Sequence, residues 1–207
     1  MIQQYIIKKG DMALQPCNLS IGQYEGTSIY KYKEESNVIK DRIHKIIDRS
    51  CRFYGSSYVF KKEDTMRITG ICSKPPILFT PLFPTYFFPT HSDRKEENTW
   101  INIHYVQSIR TLKDKKSKVT FVDNQSMIVN ISAHSMQHQY LNGIYYYYMM
   151  DRAARVATFD PESPIDYTKS QLNIYEALAK YSLFENKWLT LFIKKCKKLK
   201  YVEHHIN

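Results

Sequence analysis

Glycine is scarce in this chain, which has only six glycines among its 207 residues. None of them stands in a GxxxxGK[ST] or GxGxxG pattern, so neither common phosphate-binding loop is present. The four cysteines, at positions 17, 51, 72 and 196, are far apart and form no CxxC pair. This spacing fits neither a disulfide framework nor a zinc site and favours buried thiols. We therefore expect no cofactor and no bound metal.

Long apolar runs are also lacking. The first nine residues, MIQQYIIKK, have neither the apolar core nor the small-residue cleavage site of a secretory signal. No stretch approaches the roughly 18 consecutive apolar residues that span a bilayer. We therefore expect a soluble cytoplasmic protein without a membrane partner.

Positive charge is abundant. Thirty Lys and Arg residues against twenty Asp and Glu give a formal net charge of +10. An excess of this size indicates a polyanionic partner, either nucleic acid or an anionic membrane. Hydrophobic residues make up 43% of the chain, which is enough for a sizeable core and favours one main domain.

Alternation with a period of two predicts strands in the middle of the chain. Residues 100–109 place Ile101, Ile103 and Tyr105 on one face, which predicts one half-buried strand. Residues 118–131 repeat the alternation on both sides of a turn and predict a hairpin.

Two more strands are expected upstream, over residues 65–72 and 77–80. Pro75 and Pro76 separate them, because consecutive prolines cannot donate to a sheet ladder. The N-terminal half and the middle of the chain are thus expected to be mostly β.

Helical periodicity begins at His134 and predicts a helix to about Arg152. A capping box at residues 168–171 predicts the start of a second helix, and a basic amphipathic helix is expected from about Asn186. The isoleucines of residues 41–49 also fit a short helix.

These elements predict the α+β fold class. We expect a β-rich, mostly antiparallel DNA-binding body at residues 1–153, followed by two to three C-terminal helices. Residues 168–207 are expected to form a helical region for self-association or activation.

The densest mixture of basic, aromatic and hydroxyl side chains lies at residues 48–62. Cations there would neutralise phosphates, serine hydroxyls would bind phosphate or sugar, and Gly55 would allow close backbone approach. The alternative is a solvated turn whose aromatic residues belong to the core. The candidate DNA contacts in this segment are Arg49, Arg52, Tyr54, Ser56, Ser57, Lys61 and Lys62.

A second basic group is expected at the loop tip between two strands, where it would reach along a duplex. It consists of Lys113, Lys115, Lys116 and Lys118. The alternative is a loop that only keeps the protein soluble. Lys74 is a further candidate, since the rigid proline pair after it would fix its position; the alternative is a simple strand breaker.

One face of the helix after His134 is rich in tyrosine, whose ring buries well while its hydroxyl stays paired. We expect this face to contribute to a subunit contact, with core packing as the alternative. The candidate oligomerisation residues are Tyr140, Ile144, Tyr147 and Tyr148.

Signals for catalysis are weak. His134 and His138 have the spacing of a helical metal pair, but the Glu of HExxH and a third ligand are missing. Asp166, Glu185 and Lys187 resemble the residues of a Mg²⁺-dependent nuclease, although this Glu begins a helix instead of lying in a central strand. We expect a non-enzymatic protein, with a nuclease and a single-strand or RNA-binding module as alternatives.

Residues 48–58, DRSCRFYGSSY, closely resemble a segment of the ComK family of competence transcription factors. Further segments follow in the family's order: Ser73-Lys-Pro-Pro-Ile77, Phe87-Phe-Pro-Thr90 with Ser92, and the strand start Trp100-Ile101. The resemblance extends loosely from about Tyr5 to Lys187 and is densest between residues 48 and 105.

The resemblance implies a bacterial transcriptional activator that binds paired AT-rich boxes upstream of DNA-uptake genes. It also implies contact with the minor groove, DNA bending and action as a dimer or tetramer, with RNA polymerase as a further partner. A narrow A·T minor groove favours inserted Arg or Lys, for which Arg49, Arg52 and Lys74 are candidates. Family members are restrained by a protease adaptor that recognises an aromatic motif near the C-terminus, and this motif is not evident here.

Overall fold

Two antiparallel sheets and three helices make up the part of the chain that the structure, a computed structural model, describes: residues 4–19, 25–83 and 85–157. In chain order the elements are β1 (Asp11–Cys17), β2 (Gly26–Lys31), β3 (Asn37–Ile39), α1 (Ile43–Phe53), α2 (Tyr58–Thr69), β4 (Ile77–Leu78), β5 (Tyr86–Pro89), β6 (Trp100–Asn102), β7 (Val106–Thr111), β8 (Ser117–Phe121), β9 (Ser126–Val129) and α3 (Ala133–Ala157).

The larger sheet has six strands in the order β3-β2-β1-β6-β5-β4, and every neighbouring pair is antiparallel. Two three-stranded meanders meet at its centre, where Leu14 of β1 faces Trp100 of β6. The helices α1 and α2 lie in the connection between the two meanders. The second sheet has the order β7-β8-β9 and is also antiparallel.

Helix α1 packs on one face of the larger sheet because its apolar residues recur three and four positions apart. Ile43, Ile46, Ile47 and Cys51 are all buried. They join a core cluster that includes Leu14, Ile29, Phe87 and Trp100 of the sheet. The helix expected at residues 41–49 is therefore confirmed, and it continues to Phe53.

Helix α2 corrects one expectation, because the strand predicted over residues 65–72 is wrong. Ser57 caps the helix by accepting a hydrogen bond from the Phe60 amide, and Gly70 ends it with a φ of 70°. The buried Thr65 hydroxyl donates to the Pro76 carbonyl at 2.8 Å. The β-branched residues that suggested a strand thus lie on the buried side of a helix.

The opposite face of the larger sheet is covered by α3. The Phe88 and Tyr140 rings are 5.9 Å apart, and those of Tyr86 and Tyr147 are 5.0 Å apart. Gly143 permits this close packing, since a Cβ atom there would lie 2.6 Å from Ile103 Cγ2.

The strand expected over residues 100–109 is a second wrong prediction, because both faces of the larger sheet are covered. Residues 100–109 do not form one half-buried strand: Trp100–Asn102 is a fully buried strand of the larger sheet. A 3-10 turn at Ile103–Tyr105 then leads into β7 of the second sheet. Both sides of β6 are covered, so its burial no longer alternates.

The remaining expectations have mixed outcomes. The α+β class with antiparallel sheets is confirmed, as are the hairpin formed by β8 and β9 and the helix after His134. Residues 77–80 contain a strand of two residues only. The helices expected from residues 168 and 186 lie outside the described residues. The strands, α1, α2 and most of α3 belong to a compact unit, Met1–Met150, and a second unit begins at Asp151, within α3. The domain boundaries remain predictions.

Candidate nucleic-acid interface

Arg49, a candidate DNA contact, is held inside the protein by two hydrogen bonds. Its Nη2 donates to Asp41 Oδ2 at 2.7 Å, and its Nη1 donates to the Tyr5 carbonyl at 3.3 Å. The side chain is only 22% exposed. Arg49 therefore fixes the start of the chain and the segment before α1 against the helix.

The other cations of this segment also lie beside carboxylates. Arg52 forms an ion pair of 3.0 Å with Asp48. Lys62 pairs with Asp93 and lies over the Tyr58 ring, 5.1 Å from its centroid. Burial lowers the pKa of Lys61. Local carboxylates thus offset much of the positive charge that the sequence concentrates here.

The polar residues between α1 and α2 have structural partners. The Tyr54 hydroxyl donates to the Ile7 carbonyl at 2.7 Å, and burial raises its pKa. Ser57 is the N-cap of α2, while the Ser56 hydroxyl donates to the Ser57 carbonyl at 3.5 Å. Residues 54–57 of the segment therefore connect α1 to α2, and three of its candidate contacts, Tyr54, Ser56 and Ser57, have hydrogen-bond partners within the protein. Their contact with DNA remains a prediction.

Lys74 lies in an unusual backbone conformation, with a φ of 50°. Its side chain is half-buried. The pKa of His91 is lowered mainly by burial of its ring, and the positive charge of Lys74 lowers it slightly further. That the two prolines after Lys74 fix the position of its side chain, and that it contacts DNA, remain predictions.

The basic hairpin, which we define as Arg110, Lys113, Lys115, Lys116 and Lys118, is the clearest cationic surface. All five side chains are exposed. The turn that carries the three central lysines folds back through a hydrogen bond from the Leu112 amide to the Lys116 carbonyl. The Asp114 and Lys115 backbones have positive φ angles, 59° and 57°. This conformation brings the strand ends together and keeps the lysines at the tip.

The strand register places Arg110 beside Lys118 on this surface. Arg110 was not among the candidate residues predicted from the sequence. Arg110 is paired with Lys118, and Lys118 with Ile128, across three neighbouring strands. On the opposite side of the sheet, Ile109, Val119 and Met127 are buried. Within the described residues, none of the five cations of the basic hairpin forms an ion pair. The alternation of β7 could have suggested that Arg110 is exposed, but its register with Lys118 requires the structure.

The tyrosine-rich face of α3 lies mostly in the core. Tyr140, Ile144 and Tyr147 are buried, and Tyr148 is half-buried. The contacts of Tyr140 and Tyr147 with the larger sheet account for that burial. A role of these residues in self-association remains a prediction.

Two other kinds of site were sought within the described ranges. No group of three or more His, Cys, Asp or Glu residues there has a geometry that would hold a metal ion. None of the helices described is sufficiently long and apolar to span a bilayer. The acidic and basic residues of the nuclease alternative, Asp166, Glu185 and Lys187, lie outside these ranges.

Together these features define a basic α+β protein with a cationic hairpin on its smaller sheet. Residues 2–155 match the family described as ComK protein, and the chain belongs to that family. It is similar to the competence transcription factor of Bacillus subtilis (strain 168), with 37% identity over 94 residues. The matched stretch covers 45% of this chain and 49% of that relative, which is about half of its length. No solved structure matches the chain significantly.

Proposed function

We propose that this protein is a competence transcription factor, a non-enzymatic activator that binds duplex DNA ahead of DNA-uptake genes in the cytoplasm. Membership of the ComK family and the name of the similar relative support this role. The observation that carries it furthest is the basic hairpin, a group of five exposed cations without ion-pair partners among the described residues.

The basic hairpin is suited to the DNA backbone for an electrostatic reason. Each Lys or Arg that binds a phosphate displaces condensed counterions, and the release of these ions contributes favourably to the free energy of binding. The minor groove, about 6 Å wide, is too narrow for a two-stranded ribbon, so only the Lys and Arg side chains of the hairpin would enter it. A·T tracts narrow the minor groove and strengthen its negative potential, which favours inserted Lys and Arg. This preference is compatible with what the resemblance to the ComK family implies, and the proposed targets are accordingly paired AT-rich boxes, bound through the minor groove and bent.

Lys74 is proposed as a second contact, because two prolines that restrict the backbone follow it and no ion pair involves it within the described residues. We assign Arg49 to the protein interior instead, since Asp41 and the Tyr5 carbonyl already satisfy its guanidinium. Contact with RNA polymerase, which the family resemblance implies, belongs to the same proposal, and no surface is assigned to it. Control by a protease adaptor rests on that resemblance alone, because the aromatic motif that the adaptor recognises is not evident in the sequence.

The test compares binding to a duplex with two AT-rich boxes, a GC-rich duplex and a single strand, over a range of salt concentrations. The informative variant replaces Lys113, Lys115 and Lys116 with Ala. Each lost phosphate contact lowers the slope of log K against log salt by about 0.9, so this variant should lose up to about 3 from the slope. Lys45→Ala, an exposed lysine on α1, is the matched control and should change little.

Preference for the AT-rich duplex, with loss of binding when a minor-groove competitor is added, would support the proposal. Equal or tighter binding to the single strand would replace it with a base-stacking module. An unchanged slope in the triple variant would remove the basic hairpin from the interface. Cleavage of the duplex during long incubation with Mg²⁺ would favour the nuclease alternative.

A further inference from the structure

A cavity of about 140 Å³ opens to solvent beside the start of α1, and the loop between β5 and β6 forms its other side. Four of the residues that line it are apolar or aromatic, and they belong to the core cluster or pack against it: Ile43, Ile47, Tyr58 and Trp100. We call these four residues the cavity floor. A cavity of about 150 Å³ in another protein accommodates one benzene ring. The volume and the cavity floor therefore fit one six-membered aromatic ring.

The aromatic part of the cavity floor is held in place by contacts within the protein. The Tyr58 ring lies edge-on to the Trp100 indole, with 5.8 Å between centroids. The Tyr58 hydroxyl donates to Asp93 Oδ1 at 2.7 Å, and Lys62 pairs with the same carboxylate. Because the protein itself fixes these side chains, a ring that enters the cavity meets a preformed surface and has few side chains to order.

The rim of the cavity is cationic. We define the cationic rim as Arg42, Arg94 and Lys95, three exposed residues that line the cavity. None of the three forms an ion pair with a described residue. Two carboxylates line the cavity as well, but Asp93 already has Tyr58 and Lys62 as partners, which leaves only Glu96 to oppose three cations. The local charge therefore favours an anionic group where the cavity opens.

Asn98 adds a hydrogen-bond donor to the cavity. It lines the cavity and is only 5% exposed. Its Oδ1 accepts a hydrogen bond from the His91 amide at 3.0 Å, whereas its Nδ2 has no hydrogen-bond partner among the described residues. A buried amide donor without a partner is costly, because it has lost its hydrogen bonds to water. A carboxylate bound in the cavity would supply the missing acceptor.

We propose that this cavity binds a monocyclic aromatic carboxylic acid as its anion. The ring packs on the cavity floor, and the carboxylate accepts from Asn98 Nδ2 beside the cationic rim. A bare inorganic anion would leave the floor without a packing partner, and a neutral ring would leave the rim and Asn98 without an acceptor. The inference goes beyond the proposed function and does not depend on it, since no residue of the basic hairpin lines the cavity.

The first experiment titrates the full chain with benzoate, phenylacetate and 4-hydroxybenzoate by isothermal titration calorimetry. At least one of the three acids should bind saturably, with a dissociation constant of about 1 mM or lower. Benzyl alcohol has the ring without the charge, and inorganic phosphate has the charge without the ring. Each should bind at least about tenfold more weakly than the best acid, because each satisfies only one part of the cavity.

The fluorescence of Trp100 shows whether the acid binds in the cavity. The chain has two tryptophans, Trp100 and Trp188, so Trp188→Phe leaves Trp100 as the only one. The acid should change the emission of this variant over the same concentrations as in the calorimetric titration, because its ring contacts the indole. Calorimetry on the unmodified chain does not depend on the folding of this variant.

Substitutions around the cavity test the charged contacts. Arg42→Gln and Arg94→Gln should each raise the dissociation constant of the best acid about tenfold and leave that of benzyl alcohol unchanged. Asn98→Asp keeps an acceptor for the His91 amide but replaces the Nδ2 donor with an oxygen, so it should abolish binding of the acid. The matched control is Lys45→Gln, which removes an exposed cation of α1 that does not line the cavity. It should leave the dissociation constant almost unchanged, and circular dichroism confirms that each variant folds.

Three results would overturn the inference. The first is no saturable binding of any of the three acids up to about 10 mM. The second is phosphate that binds as tightly as the best acid, which would reassign the cavity to a bare anion such as a phosphate group. The third is an equal effect of the rim variants and Lys45→Gln. None of these titrations contains DNA, so their failure leaves the proposed function standing, and a chain that ignores duplex DNA leaves this site standing.

Discussion

Arg110 and Lys118 face each other across neighbouring antiparallel strands, and both side chains are exposed. Like charges in this position repel and destabilise the strand pair. A carboxylate at either position would make the isolated protein more stable. The arrangement is favourable once a polyanion lies on this face of the sheet, because each phosphate then neutralises a cation that has no ion-pair partner among the residues described.

The pair predicts opposite changes in stability and DNA binding. Lys118→Glu should raise the free energy of unfolding by about 0.5 kcal/mol, because it converts a repulsive cross-strand pair into an attractive one. The same change should weaken binding to the AT-rich duplex. Urea unfolding and fluorescence anisotropy measure the two quantities. Lys45→Glu changes the net charge equally, so a similar loss of binding in that variant would contradict a specific role for the hairpin.

The Arg49–Asp41 pair predicts a mainly structural role for Arg49. Arg49→Ala should lower the free energy of unfolding by about 1–3 kcal/mol, because it leaves the partly buried Asp41 carboxylate and Tyr5 carbonyl without their donor. Arg49→Lys should recover only part of this loss, since one ammonium cannot reproduce the planar fork. Arg67→Ala, which removes an arginine that is 76% exposed, should cost much less.

A structural role of Arg49 is distinguished from a role in DNA recognition by duplex binding of the Arg49→Ala protein, measured under conditions in which it remains folded. Binding close to that of the wild type supports the internal role. A lower salt slope, together with unchanged stability, would show that Arg49 contacts a phosphate after all.

Local signals in the sequence were sufficient for some elements and misleading for others. The periodicity of α3 and the alternation around the β8–β9 turn predicted those elements correctly. For α2 the caps Ser57 and Gly70 were present, but Val59, Phe60 and Thr65 also favour strands. The helix forms because Thr65 and the residues near it pack on the body of the protein, which local propensity does not record.

The candidate site shows a similar limit. The lysines of the hairpin tip were found because charge and turn residues are adjacent in sequence. Arg49 appeared equally basic, but its partner Asp41 and the Tyr5 carbonyl come from earlier segments of the chain. Whether a cation is free or internally paired depends on such long-range contacts, which composition and periodicity do not give.

Gly143 predicts a packing defect in α3. Gly143→Ala should destabilise the protein by about 1–3 kcal/mol, because the added methyl group would overlap Ile103 Cγ2. Alanine is favoured over glycine in a helix by about 1 kcal/mol, so the loss would have to exceed that gain. Asn142→Ala at the neighbouring, half-buried position gains propensity without this clash and should not be destabilising. Equal thermal midpoints for the two variants would contradict the close approach of α3 to the sheet.

Asp11 and His104 predict opposite dependences of stability on pH. Burial raises the pKa of Asp11 to about 6, although hydrogen bonds from the Lys8 amide and the Tyr5 hydroxyl oppose the shift. Its contribution to stability is therefore present below its ordinary pKa of 3.8 and is lost as pH rises through about 6. Burial lowers the pKa of His104 to about 4, so its contribution is present above 6.5 and is lost as pH falls through about 4.

Between about pH 4 and pH 6 the changes in stability that the two groups cause have opposite signs, so they partly cancel in the wild type. Single substitutions should separate the two effects. Relative to the wild type, Asp11→Asn should be least stable near pH 4 and should recover by up to about 3 kcal/mol toward pH 7. His104→Gln should show the reverse, with its deficit largest near pH 7 and smaller in acid. Urea unfolding at several pH values measures both differences, and subtracting the wild type cancels the other carboxylates. A deficit that does not vary with pH in either variant would mean that the corresponding group titrates normally in the folded protein, because only a shifted pKa couples folding to proton binding.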